Sequence, residues 1–207
     1  MLTKVEEEKD LGVIISGDLK CSKQCARAAN TGNKLLGIVK RTFKTKSVKI
    51  MVPLYKSIIR PHLEYAVQAW RPHLKKDIEM LEAVQHRATK CIEGLGGLNY
   101  NERLDKLKLP SLEFRRTRGD LIEMFKMYKG LSGLNFDEYF CRSSTGLRGH
   151  QGKVFKGRFN TNIGKFLFTN RIIDLWNGLP NNALLCNKVD NFKGYVDKYL
   201  RVDRGML

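Results

Sequence analysis

LYKSIIRPHLEYAVQAW, residues 54–70, is the stretch that decides the fold expected for this chain. Its apolar side chains recur at steps of three and four residues, the spacing of a helix face. They form two adjacent lines, one of Leu54, Ile58, Tyr65 and Ala69 and one of Tyr55, Ile59, Leu63, Ala66 and Trp70. Two lines predict a helix over about residues 48–70 with a wide buried face. Because Pro61 lacks a backbone donor and disfavours helical geometry at Arg60, we expect a kink or break there, and Pro72 should end the element.

The preceding segment predicts a second long helix, over about residues 22–41. Its apolar stripe alternates steps of four and three residues: Cys21, Cys25, Ala28, Gly32, Leu35, Val39 and Phe43. Four cations recur every seven residues, close to two helical turns, and should therefore share one side of the helix: Lys20, Arg27, Lys34 and Arg41. This line is either the basic outer edge of a packed helix or a track of contacts to a phosphate backbone.

The charge favours the second interpretation. Thirty-eight Lys and Arg against twenty-one Asp and Glu give a net charge of +17, which attracts polyanions at long range. The sequence has no acidic residue between Asp18 and Glu64, or from Tyr139 to Ile173. Exposed helix faces usually mix signs, because oppositely charged pairs stabilise a helix and like charges destabilise it. Two long basic stretches therefore predict binding to phosphate.

Further helices follow along the chain. Apolar periodicity predicts a third helix from about residue 74 to residue 92, and Asn99 with Glu102 forms a predicted capping box for a short fourth one. Ser111 should cap a fifth helix, which carries three arginines: Arg115, Arg116 and Arg118. These arginines either reach phosphate or pair with the nearby Asp120 and Glu123.

Residues 132–165 are rich in glycine and basic, which predicts a linker or loose loop before two C-terminal helices. Phe155 and Phe159 alternate there with Lys153, Lys156 and Arg158. This composition is typical of segments that stack bases while cations hold phosphates. The alternative is that both rings anchor the loop to the core.

Cysteine usage predicts reduced thiols in an intracellular protein, nuclear or cytoplasmic, because the five cysteines are odd in number and lie mostly at apolar helical positions. Cys21 and Cys25 are one helical turn apart and could in principle share a metal, but no Cys/His pair at zinc-finger spacing follows, so no metal site is assigned. KRTFKTK, residues 40–46, is a candidate nuclear-localisation signal. The sequence shows no membrane-spanning run and no signal peptide.

Several strings, in this order, resemble one known family. They are DLGVIIS (10–16), the opening stretch (54–70), LEAVQHRATKCIEGL (81–95), RRTRGDLIEMFKMYKGL (115–131) and RIIDLWNGLP (171–180). The chain resembles, over nearly its whole length, the helical thumb and post-thumb region of reverse transcriptases from non-LTR retrotransposons of the jockey-like group. In that family the polymerase palm precedes the DLG-type element.

The resemblance does not extend to the catalytic centre. Polymerases of this family need an aspartate pair on a palm hairpin to hold two metal ions, and this chain has no Asp-Asp dipeptide. Tyr65-Ala66-Val67-Gln68 begins like the YADD box of the family but offers no carboxylate and is predicted to be helical. The resemblance therefore implies a non-catalytic C-terminal fragment with no cofactor of its own, since the parent enzyme would use Mg through a palm that is absent here.

The expected fold is mostly α, in four parts. Residues 1–18 should be a palm-end remnant whose strand, 11–15, lacks its palm partners; residues 19–131 a thumb-like helical bundle; residues 132–165 a basic Gly-containing loop; and residues 166–207 a C-terminal helical region.

The expected function is sequence-independent binding to RNA or to an RNA/DNA primer–template backbone, with no chemistry by the isolated chain. The candidate binding residues are Lys20, Arg27, Lys34 and Arg41, followed by Arg115, Arg116 and Arg118. Two alternatives stay open at this point. The chain is a decayed mobile-element remnant without activity, or it is a subunit that completes a reverse transcriptase with a separately supplied palm-containing chain.

Overall fold

The computed structural model describes residues 5–143 and 149–203, which leaves Arg148 of the second basic stretch outside the described residues. The fold is mostly α, as the sequence predicted, with a two-stranded antiparallel sheet near the N-terminus and short helices towards the C-terminus. The chain divides into two compact units, Met1–Glu113 and Phe114–Leu207. This division falls in the first turn of a long helix, Leu112–Tyr128, and not after residue 131, because the side chains of that helix from Phe114 onward belong to the core of the second unit.

The N-terminal strand is not isolated. Glu7–Asp10 (β1) pairs with Val13–Ser16 (β2) in a hairpin, so the expectation of a strand without partners is wrong. The turn between them consists of Leu11 and Gly12, both at positive φ, which is the backbone that lets a two-residue loop follow the twist of the strands. The Ile14 amide donates to the Gln24 side chain at 2.9 Å and ties the hairpin to the first helix.

The described part of the first unit contains six complete helices and a π-helical turn: Ser22–Thr42 (α1), Val48–Leu54 (α2), Tyr55–Ile59 (the π turn), Arg60–Glu64 (α3), Val67–Trp70 (α4), Lys75–Lys90 (α5) and Tyr100–Leu107 (α6). The predicted boundaries of α1 agree with the structure to within one residue. The capping box of α6 is also confirmed, with Asn99 and Glu102 each accepting a bond from the backbone amide of the other.

The opening stretch is interrupted twice. A π-helical turn, closed by the Arg60 amide on the Tyr55 carbonyl, directly precedes Pro61, where the ordinary ladder loses a donor. The break itself lies five residues later, at Ala66, whose φ is 50°. The Trp70 indole donates to the Tyr65 carbonyl at 2.7 Å and satisfies the end of α3. Of the two apolar lines predicted for this stretch, only the one from Tyr55 to Trp70 is buried at its helical positions. In the other line, Ile58 and Tyr65 are exposed.

Helices α1 and α5 run side by side in the same direction. Ser22 on α1 contacts Asp77 on α5 and Asn33 contacts Arg87, so the partners are offset by 55 and 54 residues along the whole contact. Gly32 permits this close approach, because a Cβ there would lie 3.1 Å from the Val84 side chain and 3.0 Å from that of Leu63. The N-terminal ends of the two helices therefore meet, and so do their C-terminal ends.

A buried hydrogen-bond network joins the helices of the first unit. Gln85 is 1% exposed; its Oε1 accepts from the Tyr55 hydroxyl, and its Nε2 donates to the Tyr100 hydroxyl at 2.9 Å and to the Pro110 carbonyl at 3.1 Å. Tyr100 in turn donates to Glu82, whose carboxylate also accepts from the Leu112 amide at 3.0 Å. Burial, and then the charge of Glu82, raises the pKa of Tyr100.

The second unit is built on Leu112–Tyr128 (α7) and on six shorter helices: Phe136–Tyr139 (α8), Asn162–Phe166 (α9), Phe168–Arg171 (α10), Ile173–Asn177 (α11), Asn181–Leu184 (α12) and Val189–Lys198 (α13), which a π-helical turn, Tyr199–Asp203, follows. Its core is aromatic. Phe125 stacks on Phe192 with ring centroids 4.0 Å apart, and Trp176 is fully buried with its indole donating to the Gly152 carbonyl.

Two bidentate ion pairs of different exposure lie in the second unit. Arg171 donates to both carboxylate oxygens of Asp120, at 2.9 and 3.0 Å, and the two side chains are 10% and 0% exposed. Arg118 holds Asp197 in the same bidentate way, but these side chains are 24% and 39% exposed. Because only the first pair is cut off from water, its partners depend on each other more strongly.

A histidine is buried in the second unit. His150 is 2% exposed; its Nε2 donates to the Trp176 carbonyl at 2.9 Å, while its Nδ1 has no hydrogen-bond partner among residues 5–143 and 149–203. A proton added at Nδ1 would therefore place a charge in the core. Burial lowers the pKa of His150, an effect that the Trp176 carbonyl opposes and Lys153 reinforces.

We expect the second unit to lose stability on acidification. Because the folded pKa of His150 lies below its unfolded value of about 6.5, the unfolded state binds more protons and the free energy of unfolding falls as the pH drops below that value. Urea unfolding of a Trp70→Phe variant, in which Trp176 is the remaining tryptophan, reports on this unit at each pH. Adding His150→Gln should flatten the dependence; an unchanged slope would contradict this assignment.

Candidate nucleic-acid interface

A cleft of about 510 Å³ opens where the C-terminal ends of α1 and α5 meet. Its lining residues come from both helices: Asn33, Leu36, Gly37, Lys40, Arg87, Lys90 and Cys91. Leu36 and Cys91 are its apolar lining residues, and there is open space next to Gly37, since a Cβ there would meet nothing within 4 Å. The parallel arrangement of α1 and α5 therefore creates a concave surface that neither helix has alone.

The cleft is cationic. Lys40, Arg87 and Lys90 line it, and none of its lining residues is acidic. The Arg87 Nε donates to the Asn33 side chain at 3.1 Å, which fixes the guanidinium plane. Its two terminal nitrogens have no partner in the described part of the chain and can therefore donate to a bound anion. A fixed guanidinium fork matches the geometry of phosphate.

The cations of the cleft affect the pKa values of two neighbouring side chains, His86 and Cys91. The pKa of His86, which lies next to Arg87 on α5, is lowered, first by burial and then by Arg103, Lys90 and Arg87. Burial raises the pKa of the Cys91 thiol, while Lys40 and Lys46 oppose this shift by favouring the thiolate. Both groups therefore experience the cations that line the cleft.

The structure separates the four heptad-spaced cations into two pairs. Lys34 and Arg41 follow the lining residues Asn33 and Lys40 on α1, and both are exposed with no ion-pair partner among the described residues. Arg27 is half-buried and donates to the Gly12 carbonyl at 3.2 Å, and Lys20 precedes α1 and pairs with Asp18 at 3.1 Å. Lys34 and Arg41 are thus left without an ion-pair partner in the described part of the chain, whereas the hairpin and the turn after it engage Arg27 and Lys20.

The hairpin also neutralises part of the first basic stretch. The Lys23 ammonium lies 2.6 Å from the Glu7 carboxylate, which raises the pKa of Lys23. Asp18, at the boundary of the stretch, has its pKa lowered by hydrogen bonds from Lys20. A segment that carries no acid in its own sequence therefore meets acids from the hairpin at its N-terminal end. At its other end Arg60 pairs with Glu64 at 3.7 Å, whereas Lys34, Lys40 and Arg41 in the C-terminal half of α1 have no ion-pair partner among the described residues.

Of the three α7 arginines predicted as a second contact set, the protein buries one and pairs another with an aspartate. Arg116 is 2% exposed and cannot reach a phosphate at the surface, so the prediction that it binds phosphate is wrong. Arg118 is engaged by Asp197, a residue 79 positions away that its local sequence could not suggest. Arg115 is half-buried. Because these arginines belong to the second unit, we do not group them with the cleft.

Acids from outside the second basic stretch also neutralise parts of it. Lys156 pairs with Asp174, Arg171 with Asp120, and Arg142 with Asp137 at 2.7 Å. The loop is anchored by Phe136, Phe140 and Val154, which are buried, and not by Phe155, which is 64% exposed. Phe159 lies under the Lys156 ammonium. The predicted stacking surface therefore has one exposed ring and one ring covered by a cation.

Sequence reasoning missed Arg87 and Lys90 as site residues. Their spacing of three places both on one face of α5, but that is also how cations stabilise the C-terminal end of a helix dipole. Only the parallel packing of α5 on α1 puts them opposite Lys40. The spacing of Arg87 and Lys90 was visible in the sequence, but Lys40, the cation that they face, lies about 50 residues away along the chain.

Three potential metal ligands lie at the opposite end of the same helix pair. Cys21 and Cys25 at the start of α1 and Asp77 in the first turn of α5 place two thiol sulfurs and a carboxylate oxygen within 4.8 Å of one another. A hydrogen bond from Cys25 lowers the pKa of the Cys21 thiol to about 7, against the opposing effects of burial and Asp77.

In the described part of the chain, no helix combines the length and the apolar character needed to cross a membrane. Comparison of the chain with protein-family models, with curated proteins and with solved structures finds no match.

Proposed function

We propose that this chain binds the sugar–phosphate backbone of RNA or of an RNA/DNA hybrid, without sequence specificity, through the cleft between α1 and α5. The observation that carries the proposal is the cleft itself, in which Lys40, Arg87 and Lys90 converge with no acid among the lining residues. Lys34 and Arg41 extend the cationic surface along α1. The three lining cations and these two exposed ones can each displace a condensed counterion from a polynucleotide.

The chemistry of the cleft favours the backbone over the bases. Ammonium and guanidinium groups are the usual donors to phosphate oxygens, and such contacts set position without reading sequence. The lining residues include no aromatic side chain on which a base could stack. Cations near the C-terminal end of a helix compensate part of its dipole. Beyond that part, like charges held close together on adjacent helix ends repel one another and destabilise the fold unless an anion binds there.

The resemblance to the reverse-transcriptase thumb supports RNA or hybrid as the class of nucleic acid, because the thumb of that family clasps the primer–template duplex. The chain would then act as a binding module without polymerase activity, since it has no Asp-Asp dipeptide to hold the metal ions of synthesis. Nucleotide incorporation by the purified chain alone would contradict this part of the proposal.

Salt dependence tests the binding. If the five cations contact phosphates, the logarithm of the affinity for a labelled hybrid duplex should fall against the logarithm of the salt concentration with a slope of about −3.5 to −4.5. Fluorescence anisotropy at several salt concentrations measures this slope. An affinity that does not change with salt would exclude a backbone contact.

A matched pair of triple variants locates the contact. Lys40→Gln, Arg87→Gln and Lys90→Gln together should weaken binding about 10- to 100-fold at moderate salt and make the slope shallower by about 2 to 3. The control, Lys75→Gln with Lys76→Gln and Lys106→Gln, removes the same charge from exposed positions elsewhere in the first unit. It should change the affinity less than about threefold. Equal losses in both variants would show attraction by net charge alone and refute the cleft.

A further inference from the structure

Two thiols and one carboxylate converge where the N-terminal ends of α1 and α5 meet. Cys25 and Asp77 are fully buried and Cys21 is half-buried, and the Cys21 sulfur, the Cys25 sulfur and a carboxylate oxygen of Asp77 lie within 4.8 Å of one another. In a tetrahedral zinc site the corresponding distances are about 3.8 Å between sulfurs and about 3.5 Å from sulfur to oxygen. Side-chain rotations that bring the three atoms together by about 1 Å would complete the geometry.

Asp77 provides a second, independent observation. Its side chain is 0% exposed; Oδ2 accepts a hydrogen bond from the Ser22 hydroxyl at 2.6 Å, but Oδ1 has no hydrogen-bond partner in the described part of the chain. A buried carboxylate oxygen without a partner is costly. One oxygen oriented by a hydroxyl and one left for a cation is the arrangement that ligating carboxylates adopt in metal sites.

We propose that Cys21, Cys25 and Asp77 bind one thiophilic divalent cation, with zinc as the expected ion, and that this ion joins the N-terminal ends of α1 and α5. Thiolates select zinc over magnesium and calcium, which prefer sites made of oxygen atoms. The fourth position falls to water, because Cys21 is only half-buried and the cluster has three protein ligands. Binding releases the thiol protons, since thiolates are the form that coordinates.

Cobalt(II) is the probe that tests the site, because thiolate ligation gives an intense charge-transfer absorption. The full chain, reduced and stripped of metal, should bind one Co²⁺ with this absorption, and one equivalent of Zn²⁺ should displace it and raise the melting temperature. Cys21→Ser and Asp77→Asn should each weaken zinc binding at least about 100-fold, and Ser22→Ala, which removes only the group that orients Asp77, about 10-fold.

Cys141→Ser is the matched control, because Cys141 is exposed and lies in the second unit. It should leave the spectrum and the stoichiometry unchanged. Absence of the absorption at stoichiometric Co²⁺, its persistence in Cys21→Ser, or its loss in Cys141→Ser would each overturn the proposal. Cys21→Ser is the decisive variant, since its half-buried position tolerates the change; circular dichroism of each variant verifies that the helices are retained.

Discussion

Replacing Arg171 with methionine is expected to lower the free energy of unfolding of the second unit by about 3–5 kcal/mol. The substitution removes both bonds that Arg171 donates to Asp120 and leaves that carboxylate, which is 0% exposed, without its guanidinium. The bond from Arg171 to the Phe166 carbonyl at 3.0 Å, which ties α10 to the end of α9, is lost with it. Urea unfolding followed by Trp176 fluorescence in the Trp70→Phe background measures the change.

Arg118→Met is the matched control, because it removes the other bidentate pair of the same unit. Its partners are 24% and 39% exposed, so water can replace the lost bonds, and the expected loss is about 1 kcal/mol or less. Adding Asp120→Asn to the Arg171→Met variant removes the buried charge that has lost its partner, and should therefore recover part of the lost free energy of unfolding. Similar losses in the two single variants would show that burial does not set the strength of these pairs.

Replacing Gln85 with leucine is expected to destabilise the first unit by about 3 kcal/mol. The side chain is 1% exposed and serves Tyr55, Tyr100 and the Pro110 carbonyl at once, so leucine deprives three polar groups of a hydrogen bond. Hydrogen exchange of the α1 and α5 amides, followed by mass spectrometry, reads the stability of this unit separately from that of the other.

Two further variants separate the network from simple packing. Because removing both partners of a buried hydrogen bond costs less than removing one, Tyr55→Phe added to Gln85→Leu should recover about 1 kcal/mol. Gln68→Leu, a change of the same chemistry at a half-buried position of α4, should cost less than about 1 kcal/mol. A Gln85→Leu protein as stable as the parent would show that the hydrogen bonds contribute nothing beyond packing.

Local sequence signals predicted the helices well because they act over a few residues. The stripe from Cys25 to Val39 placed α1 within one residue of its observed ends, and the Asn99–Glu102 capping box placed the start of α6. Pro61 correctly indicated an irregularity, although a π-helical turn absorbs its missing donor and the break moves to Ala66. The partner of β2 was missed, because Glu7–Asp10 is an acidic strand with little apolar alternation.

The predicted site residues differ in whether a group of the protein engages them. Lys34 and Arg41 remain exposed as the seven-residue spacing suggested, whereas Arg27 donates to the Gly12 carbonyl and Arg118 is held by Asp197. Arg116 is buried although its neighbour Arg115 is not. Charge counted along the chain therefore overstated how much of it is available to a ligand, since a stretch without acids in sequence can meet acids in space.

The sequence by itself determined that the chain is mostly helical, which faces of its long helices are apolar, and that it is strongly basic. These properties follow from periodicity and composition, which act through near neighbours. Only the tertiary structure decided which cations stay open and which residues of different helices meet. Both the cleft and the cysteine cluster exist because α1 and α5 pack in parallel at an offset of about 54 residues, and so long a separation leaves no local pattern.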